Sequence, residues 1–190
     1  MAETLAVPKQ KLSAPPLAIH RLGDRVLRQS SKRVSQVNAE IRQLAREMLQ
    51  TMYSADGIGL AAPQVGVAKQ VIVVDVDPEN AANPPLILVN PVIETLGTTL
   101  ATGQEGCLSI PGVYLEVRRP AAVEVSYKDE HGRPQRRWVD DLTARVIQHE
   151  TDHLHGILFV DRVESPLKLA QELARNRFSL ADVRRIPASS

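Results

Sequence analysis

The sequence contains very little cysteine and few aromatic residues. Cys107 is the one cysteine among 190 residues, so no disulfide can form within the chain. A lone cysteine is typical of proteins from reducing compartments, where it is usually a buried thiol and less often a metal ligand or a nucleophile. A chain of this length buries about 70% of its unfolded surface when it folds, so its stability does not depend on disulfides.

Long apolar runs and an excess of charge of either sign are also missing. No apolar run approaches the roughly 18 residues of a transmembrane helix. Residues 1–19 lack the charged start and apolar core of a secretory signal and are too poor in arginine for a transit peptide. The net charge of +1 gives no argument for binding to nucleic acids or membranes. We therefore expect a cytoplasmic protein that binds neither membranes nor DNA.

Length and composition predict one globular domain with short extensions. We expect an N-terminal arm over residues 1–16 that is partly mobile. A single domain is expected over residues 17–180, followed by a C-terminal tail over residues 181–190. Any catalytic site therefore belongs to the central domain.

The hydrophobic pattern predicts an early helix, a run of strands and two late helices. The predicted helices are 38–57, 140–156 and 165–178. The predicted strands and extended segments are 70–77, 86–94, 98–118 and 121–139. The glycine-rich segment 57–66 is predicted to be a loop. Antiparallel hairpins with the helices set to one side indicate the α+β class.

The segment QHETDHLH, residues 148–155, concentrates titratable side chains on a predicted helix. His149 and His153 are four residues apart, which places them on one helix face about 6 Å apart along the axis. Two imidazoles at this spacing can bind one metal ion, and Glu150 beside them is better placed to reach a bound water than the ion. Histidines without a metal are the alternative, but the apolar residues directly before the pair favour a buried face.

A catalytic metal site of this type needs three protein ligands and one position open to water. A third histidine ten residues after His149 is excluded, because residue 159 is phenylalanine. Glu172, on the next predicted helix, remains a candidate. Cys107, in the segment QEGCLS, is another, because a thiolate binds soft and borderline divalent metals strongly. Spacing alone leaves both candidates open.

Three segments together resemble the signatures of the polypeptide deformylase family. They are GIGLAAPQ at 57–64, EGCLS at 105–109 and QHETDH at 148–153. They occur in the order found in the family, and the segment CLSIPGVYLEV is similar to its chloroplast and cyanobacterial type 1B branch. The resemblance implies an α+β fold in which antiparallel sheets pack around a central metal-binding HExxH helix, with a C-terminal helix.

The resemblance also implies an activity, an amide hydrolase acting on linear amides. It would remove the N-formyl group from the N-terminal formyl-methionine of newly synthesised proteins and release formate. Cys107, His149 and His153 would bind one divalent metal ion per chain, which leaves Glu172 without that role. Fe²⁺ is the expected ion, and Zn²⁺, Ni²⁺ or Co²⁺ can substitute for it. Glu150 would act as general base and then as general acid.

The remaining expected site residues would bind the peptide and the developing oxyanion. The resemblance assigns the oxyanion to two donors, the side-chain amide of Gln64 and the backbone N–H of Leu108. The expected substrate-binding residues are Ile58, Gly59, Gly106, Tyr114, Leu142 and Val146. An extended peptide can pair with the backbone of 57–60 and 105–107 by strand addition.

We also have expectations for five further residues around the predicted site. Gln148, Glu105 and Arg119 match family positions that could orient the metal ligands. Asp152 is a candidate partner for a ligand histidine, or else part of a solvated face. Arg145 stands where some members have an apolar residue, and we expect it to point to solvent.

The partner and the competing functions complete these expectations. A mild basic bias in residues 162–185 is compatible with contact to the ribosome near the exit tunnel, although such a run is more often a solvated helix face. Two other functions remain open, a small HExxH metalloprotease that uses Glu172 and a non-catalytic metal-binding or redox-sensing domain in which Cys107 is the responsive thiol.

Overall fold

The computed structural model describes residues 7–183, which form an α+β fold of antiparallel sheets and three helices. The helices are α1 (Ala39–Ser54), α2 (Asp141–Leu154) and α3 (Pro166–Arg175). The strands are β1 (Gly59–Ala61), β2 (Val71–Val74), β3 (Leu86–Leu96), β4 (Leu100–Cys107), β5 (Ile110–Pro120), β6 (Ala122–Lys128) and β7 (Pro134–Asp140). Short 3-10 turns occur at Arg25–Arg28, Ala62–Val65 and Phe159–Arg162. The predicted α+β class is confirmed.

The strands form two separate antiparallel sheets. One has five strands in the order β1-β2-β3-β6-β7, and the other is the β4–β5 hairpin. Side chains alternate along β2, so Val71 and Val73 pack against α1, whereas Ile72 and Val74 pack in the cluster that contains α2. The five-stranded sheet therefore has a helix on each face, and the expectation that the helices lie to one side is wrong.

Local capping chemistry sets the helix starts close to where the sequence places them. α1 begins after Asn38, whose side-chain oxygen accepts a hydrogen bond from the backbone N–H of Ile41 (3.1 Å). α3 begins with Pro166 after the N-cap Ser165. Gly156, with φ +69°, follows the end of α2, where a left-handed conformation favours glycine.

The segment 57–66 differs from its prediction as a loop. Residues 59–61 form β1, which pairs in antiparallel register with residues 72–74 of β2. All three residues of β1 are buried. Pairing with a buried neighbour therefore overrides the low strand propensity of the glycines, which a local pattern cannot anticipate.

The described part of the N-terminal arm, residues 7–16, binds to the domain. Lys9 forms an ion pair with the buried Asp75 (2.7 Å), and Lys11 forms one with Asp56 (2.6 Å). Residues 1–6 of the arm and 184–190 of the tail lie outside the described residues, and the predicted mobility of the arm stays a prediction. Among the described helices, none is long and apolar enough to cross a membrane.

Candidate metal centre and cleft

One stripe of α2 faces a cleft between the five-stranded sheet and the β4–β5 hairpin. Its members recur at three- and four-residue spacing, so they share a face of the helix. They are Leu142, Arg145, Val146, His149 and Glu150, which line the cleft, followed on the same face by the buried His153. The second half of α2 is buried, which brings the two histidines and the glutamate into the interior, as the apolar residues before them indicate.

Cys107 reaches this stripe from the last position of β4. Its Sγ lies 3.4 Å from His153 Nε2, and the ligand atoms of Cys107, His149 and His153 all lie within 4.8 Å of one another. Among the described residues this is the one group of three or more potential ligands. Glu172 lies on α3, where it pairs with Arg175 (3.2 Å) and is not part of the group.

A buried ion-pair network orients the first histidine. His149 Nδ1 donates to Glu105 Oε2 (2.9 Å), so its other ring nitrogen is left for a ligand. Arg119 donates to both oxygens of Glu105 (2.6 and 2.9 Å) and to Asp152 (2.8 Å). Asp152 also accepts from Arg162 (2.6 Å). Glu105 and Arg119 thus hold His149 in place, whereas Asp152 bonds two arginines and neither histidine of the group.

The same network controls the charges of Glu105 and His149. Burial opposes the charge of Glu105, yet hydrogen bonds from His149 and Arg119 hold the pKa of its carboxyl well below the ordinary value. Burial likewise opposes the charge of His149, but its hydrogen bonds with Cys107 and Glu105 raise its pKa above the ordinary value. The charges of Glu105 and His149 therefore stabilise each other in the interior.

Burial is the main cause of the pKa shifts of Glu150 and His153. Burial raises the pKa of Glu150 to about 7. Burial, together with the nearby positive charges of His149 and Arg119, lowers the pKa of His153, so its imidazole is neutral. A neutral imidazole is the form that binds a metal, and a carboxyl that titrates near neutrality suits proton transfer.

The donor set fits a divalent metal ion. Beside these ligand atoms, the buried Glu150 Oε2 has no hydrogen-bond partner among the described residues. Unpaired buried polar atoms are costly and indicate a function that the protein alone does not satisfy. One thiolate and two imidazoles suit iron, zinc, nickel or cobalt rather than magnesium or calcium.

Gln64 presents its amide nitrogen to the same point. Its Oε1 accepts from the backbone N–H of Ala61 (2.8 Å), which fixes the orientation of the amide. Its Nε2 donates to Ser109 Oγ (3.1 Å) and lies 3.4 Å from Cys107 Sγ. Leu108 lies between Cys107 and Ser109 in the turn of the hairpin. Sequence reasoning gave Ser109 no role, although it is the last residue of the quoted segment EGCLS.

The cleft is a cavity of about 530 Å³ above these groups. All six expected substrate-binding residues line it: Ile58, Gly59, Gly106, Tyr114, Leu142 and Val146. The residues that also line it are Gln64, Leu108, Cys107, His149 and Glu150. A Cβ at Gly59 would lie 2.5 Å from Glu150 Oε1, and one at Gly106 would lie 2.5 Å from the Tyr114 ring. Close approach to the buried Glu150 and Val146 therefore favours glycine at position 59, whereas the exposed ring of Tyr114 could move away from a Cβ at position 106.

Arg145 does not point to solvent, so that expectation is wrong. Its guanidinium donates to Glu105 Oε1 (2.8 Å) and to the backbone carbonyls of Val117 (2.9 Å) and Ala101 (2.7 Å). These acceptors lie on the β4–β5 hairpin, too far along the chain for a helical pattern to reveal. Gln148 adds a second tie, because its amide donates to a backbone carbonyl at the end of β5.

Comparisons with known proteins agree with this geometry. The family model of polypeptide deformylase matches residues 16–168. Peptide deformylase 1 of Nostoc sp. is 61% identical over 97% of this chain and 98% of its own. Peptide deformylase 2 of Gloeobacter violaceus is 62% identical over 96% of this chain and 98% of its own.

Solved structures are similar as well. A peptide deformylase from Synechococcus elongatus, in complex with actinonin, matches with a TM-score of 0.92 and 62% identity over 95% of this chain and 98% of its own. The plant peptide deformylase PDF1B matches with a TM-score of 0.80 and 37% identity over 87% of this chain and 89% of its own. The predicted similarity to the cyanobacterial branch is confirmed, and neither the protease nor the redox-sensor alternative finds support. The chain belongs to the polypeptide deformylase family, metal-dependent hydrolases that remove the N-formyl group from nascent proteins.

Proposed function

We propose that Cys107, His149 and His153 bind one divalent metal ion per chain and that α2 is the metal-binding helix of a deformylase site. The observation that carries this proposal is the grouping of the three ligand atoms within 4.8 Å, beside the buried and unpaired oxygen of Glu150. When bound, the ion supplies Lewis-acid chemistry, since it polarises a carbonyl and makes a water molecule more acidic.

Fe²⁺ is the ion that we propose for the native protein, with Zn²⁺, Ni²⁺ or Co²⁺ as substitutes. A set of one thiolate and two imidazoles accepts all four, so availability in the cell decides among them. Elemental analysis of protein purified without oxygen tests this assignment. Iron at about one atom per chain would support it, and zinc at that level with no iron would overturn it.

Glu150 moves the proton in the proposed reaction. Its carboxylate takes a proton from the water that attacks the formyl carbon. It returns that proton to the α-nitrogen of methionine when the bond between the formyl carbon and this nitrogen breaks. Formate and a free α-amine are the products. A pKa of about 7 favours both steps, because the group exchanges a proton readily at neutral pH.

Gln64 and Leu108 stabilise the negative charge that develops on the formyl oxygen. The side-chain amide of Gln64 is held by Ala61 and presents Nε2 beside Cys107, and the Leu108 backbone N–H follows the same cysteine. Donors that are fixed in place before the reaction contribute about 3 kcal/mol each. The packing of Gln64 in the interior supports its role, since the side chain has no freedom to turn away.

The cleft binds the peptide through apolar contacts and main-chain pairing. Ile58, Leu142 and Val146 offer an apolar wall to the methionine side chain, while Tyr114 lines the outer groove. The backbone of residues 57–60 and 105–107 can pair with an extended peptide. Main-chain hydrogen bonds do not distinguish side chains, so peptides that differ beyond methionine are accepted.

Formate release from a formyl-methionyl peptide tests the proposed function. We expect release by metal-loaded protein under anaerobic conditions, and none from the same peptide without a formyl group. The Glu150→Gln variant, loaded with the same amount of metal, serves as the matched control for trace contaminants. Wild-type protein that holds metal but releases no formate would overturn the proposal.

We also propose that the domain of residues 17–180 acts in the cytoplasm on chains emerging from ribosomes. Lys168 and Arg175 on α3 are largely exposed, and within the described residues they form ion pairs with Glu116 (3.6 Å) and Glu172 (3.2 Å). Such pairs exchange readily for phosphate contacts. Co-sedimentation with ribosomes should weaken in a Lys168→Glu/Arg175→Glu variant, and equal co-sedimentation would overturn this contact. Arg184 and Arg185 of the basic run lie outside the described residues.

A further inference from the structure

We infer that Arg145 is a partition that closes the side-chain pocket of the cleft and so limits the length of the first residue of the substrate. The inference rests on the proposed function and assigns a determinant of specificity within it. It concerns the end of the pocket formed by the first turns of α2, where Arg145 also contacts Glu105, the partner of His149.

Two cavities meet at Arg145. Beside the cleft is a second cavity of about 350 Å³, lined by residues of β4, the end of β5 and the start of α2. The residues that line both cavities are Gln104, Leu142 and Arg145. The guanidinium thus stands where the two spaces would otherwise join.

The partition is held firmly. Three hydrogen bonds of 2.7 to 2.9 Å connect the guanidinium to Glu105 and to two backbone carbonyls of the hairpin. Gly103 leaves room for it, because a Cβ at that position would lie 3.0 Å from the guanidinium atoms. The planar guanidinium is already fixed by these bonds, and a substrate could displace it only by breaking them. It therefore resists displacement.

The neighbours of Arg145 explain why it would act on length. Leu142 and Val146 precede and follow it on the same face of α2 and form the apolar wall of the pocket. A side chain that extends past this wall meets a charged group and would have to displace its hydrogen bonds. An apolar group that breaks such bonds without replacing them is strongly disfavoured. Methionine reaches the wall, and longer apolar side chains reach the charge.

The test compares two formyl peptides that differ only in their first residue. One begins with methionine, and the other begins with 2-aminooctanoic acid, whose unbranched side chain is longer. In Arg145→Ala we expect the ratio of kcat/KM for methionine to kcat/KM for the longer residue to fall by about tenfold or more, because extra methylenes are then accommodated. Millimolar guanidinium ion should restore the ratio in this variant, whereas equal concentrations of urea or sodium chloride should not.

Matched variants separate this role from a general loss of structure. Arg118→Ala removes an exposed arginine of β5 that pairs with Glu164, and it should leave the ratio unchanged. If Arg145→Ala does not fold, Arg145→Lys carries the test with an intermediate ratio expected. A variant that hydrolyses formyl-methionine with the wild-type ratio would overturn the inference. Failure of the wild type to release formate would instead overturn the proposed function.

Discussion

Helix α2 and the β4–β5 hairpin contribute to the same site in different ways. The two imidazoles of α2 are placed by one turn of a helix, whereas Cys107 lies 46 residues before His153 and arrives on a separate sheet. Local geometry therefore places two of the three proposed metal ligands. The position of the third depends on long-range hydrogen bonds, chiefly those of Arg119 and Arg145, which connect the helix to the hairpin. The site therefore depends most on the position of α2 relative to the β4–β5 hairpin.

The largest effect is expected from a substitution on α2 that leaves all three proposed metal ligands in place. Glu150→Gln removes proton transfer, so kcat should fall by about 10² to 10⁴. Metal content should stay at the wild-type level, because the group is not a ligand in our proposal. Steady-state kinetics and elemental analysis of the same preparation check this, and unimpaired turnover would exclude Glu150 as the base.

A change on the hairpin should act on the metal instead. Cys107→Ala should weaken metal affinity by more than about 100-fold, since loss of an outer partner alone costs up to about that much. Glu172→Ala is the matched control and should keep one ion per chain. Metal stoichiometry after dialysis distinguishes the two variants. Loss of metal from Glu172→Ala but not from Cys107→Ala would favour the protease-like ligand set.

Arg119→Leu removes a hydrogen-bonded ion pair between the β4–β5 hairpin and α2. In total it removes three hydrogen bonds to the buried carboxylates of Glu105 and Asp152. These carboxylates keep Arg145, His149 and Arg162 as partners, so the free energy of unfolding should fall by about 3 kcal/mol, the lower end of the cost of breaking a buried ion pair. The matched variant Arg118→Leu removes an exposed ion pair with Glu164 and should cost less than about 1 kcal/mol. Urea unfolding of both variants checks the difference, and equal midpoints would contradict this account.

The smallest effect is expected where the helix meets β1. A Cβ in Gly59→Ala would lie 2.7 Å from Val146 and 2.5 Å from Glu150, so overpacking should cost about 1–3 kcal/mol. Displacement of Glu150 should also lower kcat. Thermal unfolding and kinetics of this variant test the contact, and a wild-type melting temperature with wild-type kcat would show that the helix yields without consequence.

The sequence predicted the features that depend on neighbours along the chain. Helical periodicity placed His149 and His153 on one face, and capping residues placed the starts of α1 and α3. It left both Cys107 and Glu172 open, Glu172 as the weaker candidate, until the resemblance was considered, because spacing carries no information about contacts across sheets. The errors at β1 and Arg145 have the same cause, since partners on β2 and on the hairpin decide both.

Cys107 has one more consequence, which follows from its being the only thiol of 190 residues and from its half-buried place in the cleft. A thiol-selective reagent has a single cysteine to modify on this protein, and a sulfur held by the proposed metal ion would react more slowly than a free thiolate. If Cys107 is a metal ligand as proposed, the fraction of chains that gain the mass of the label would report the proportion of empty centres. No engineering is needed to turn the protein into its own occupancy reporter.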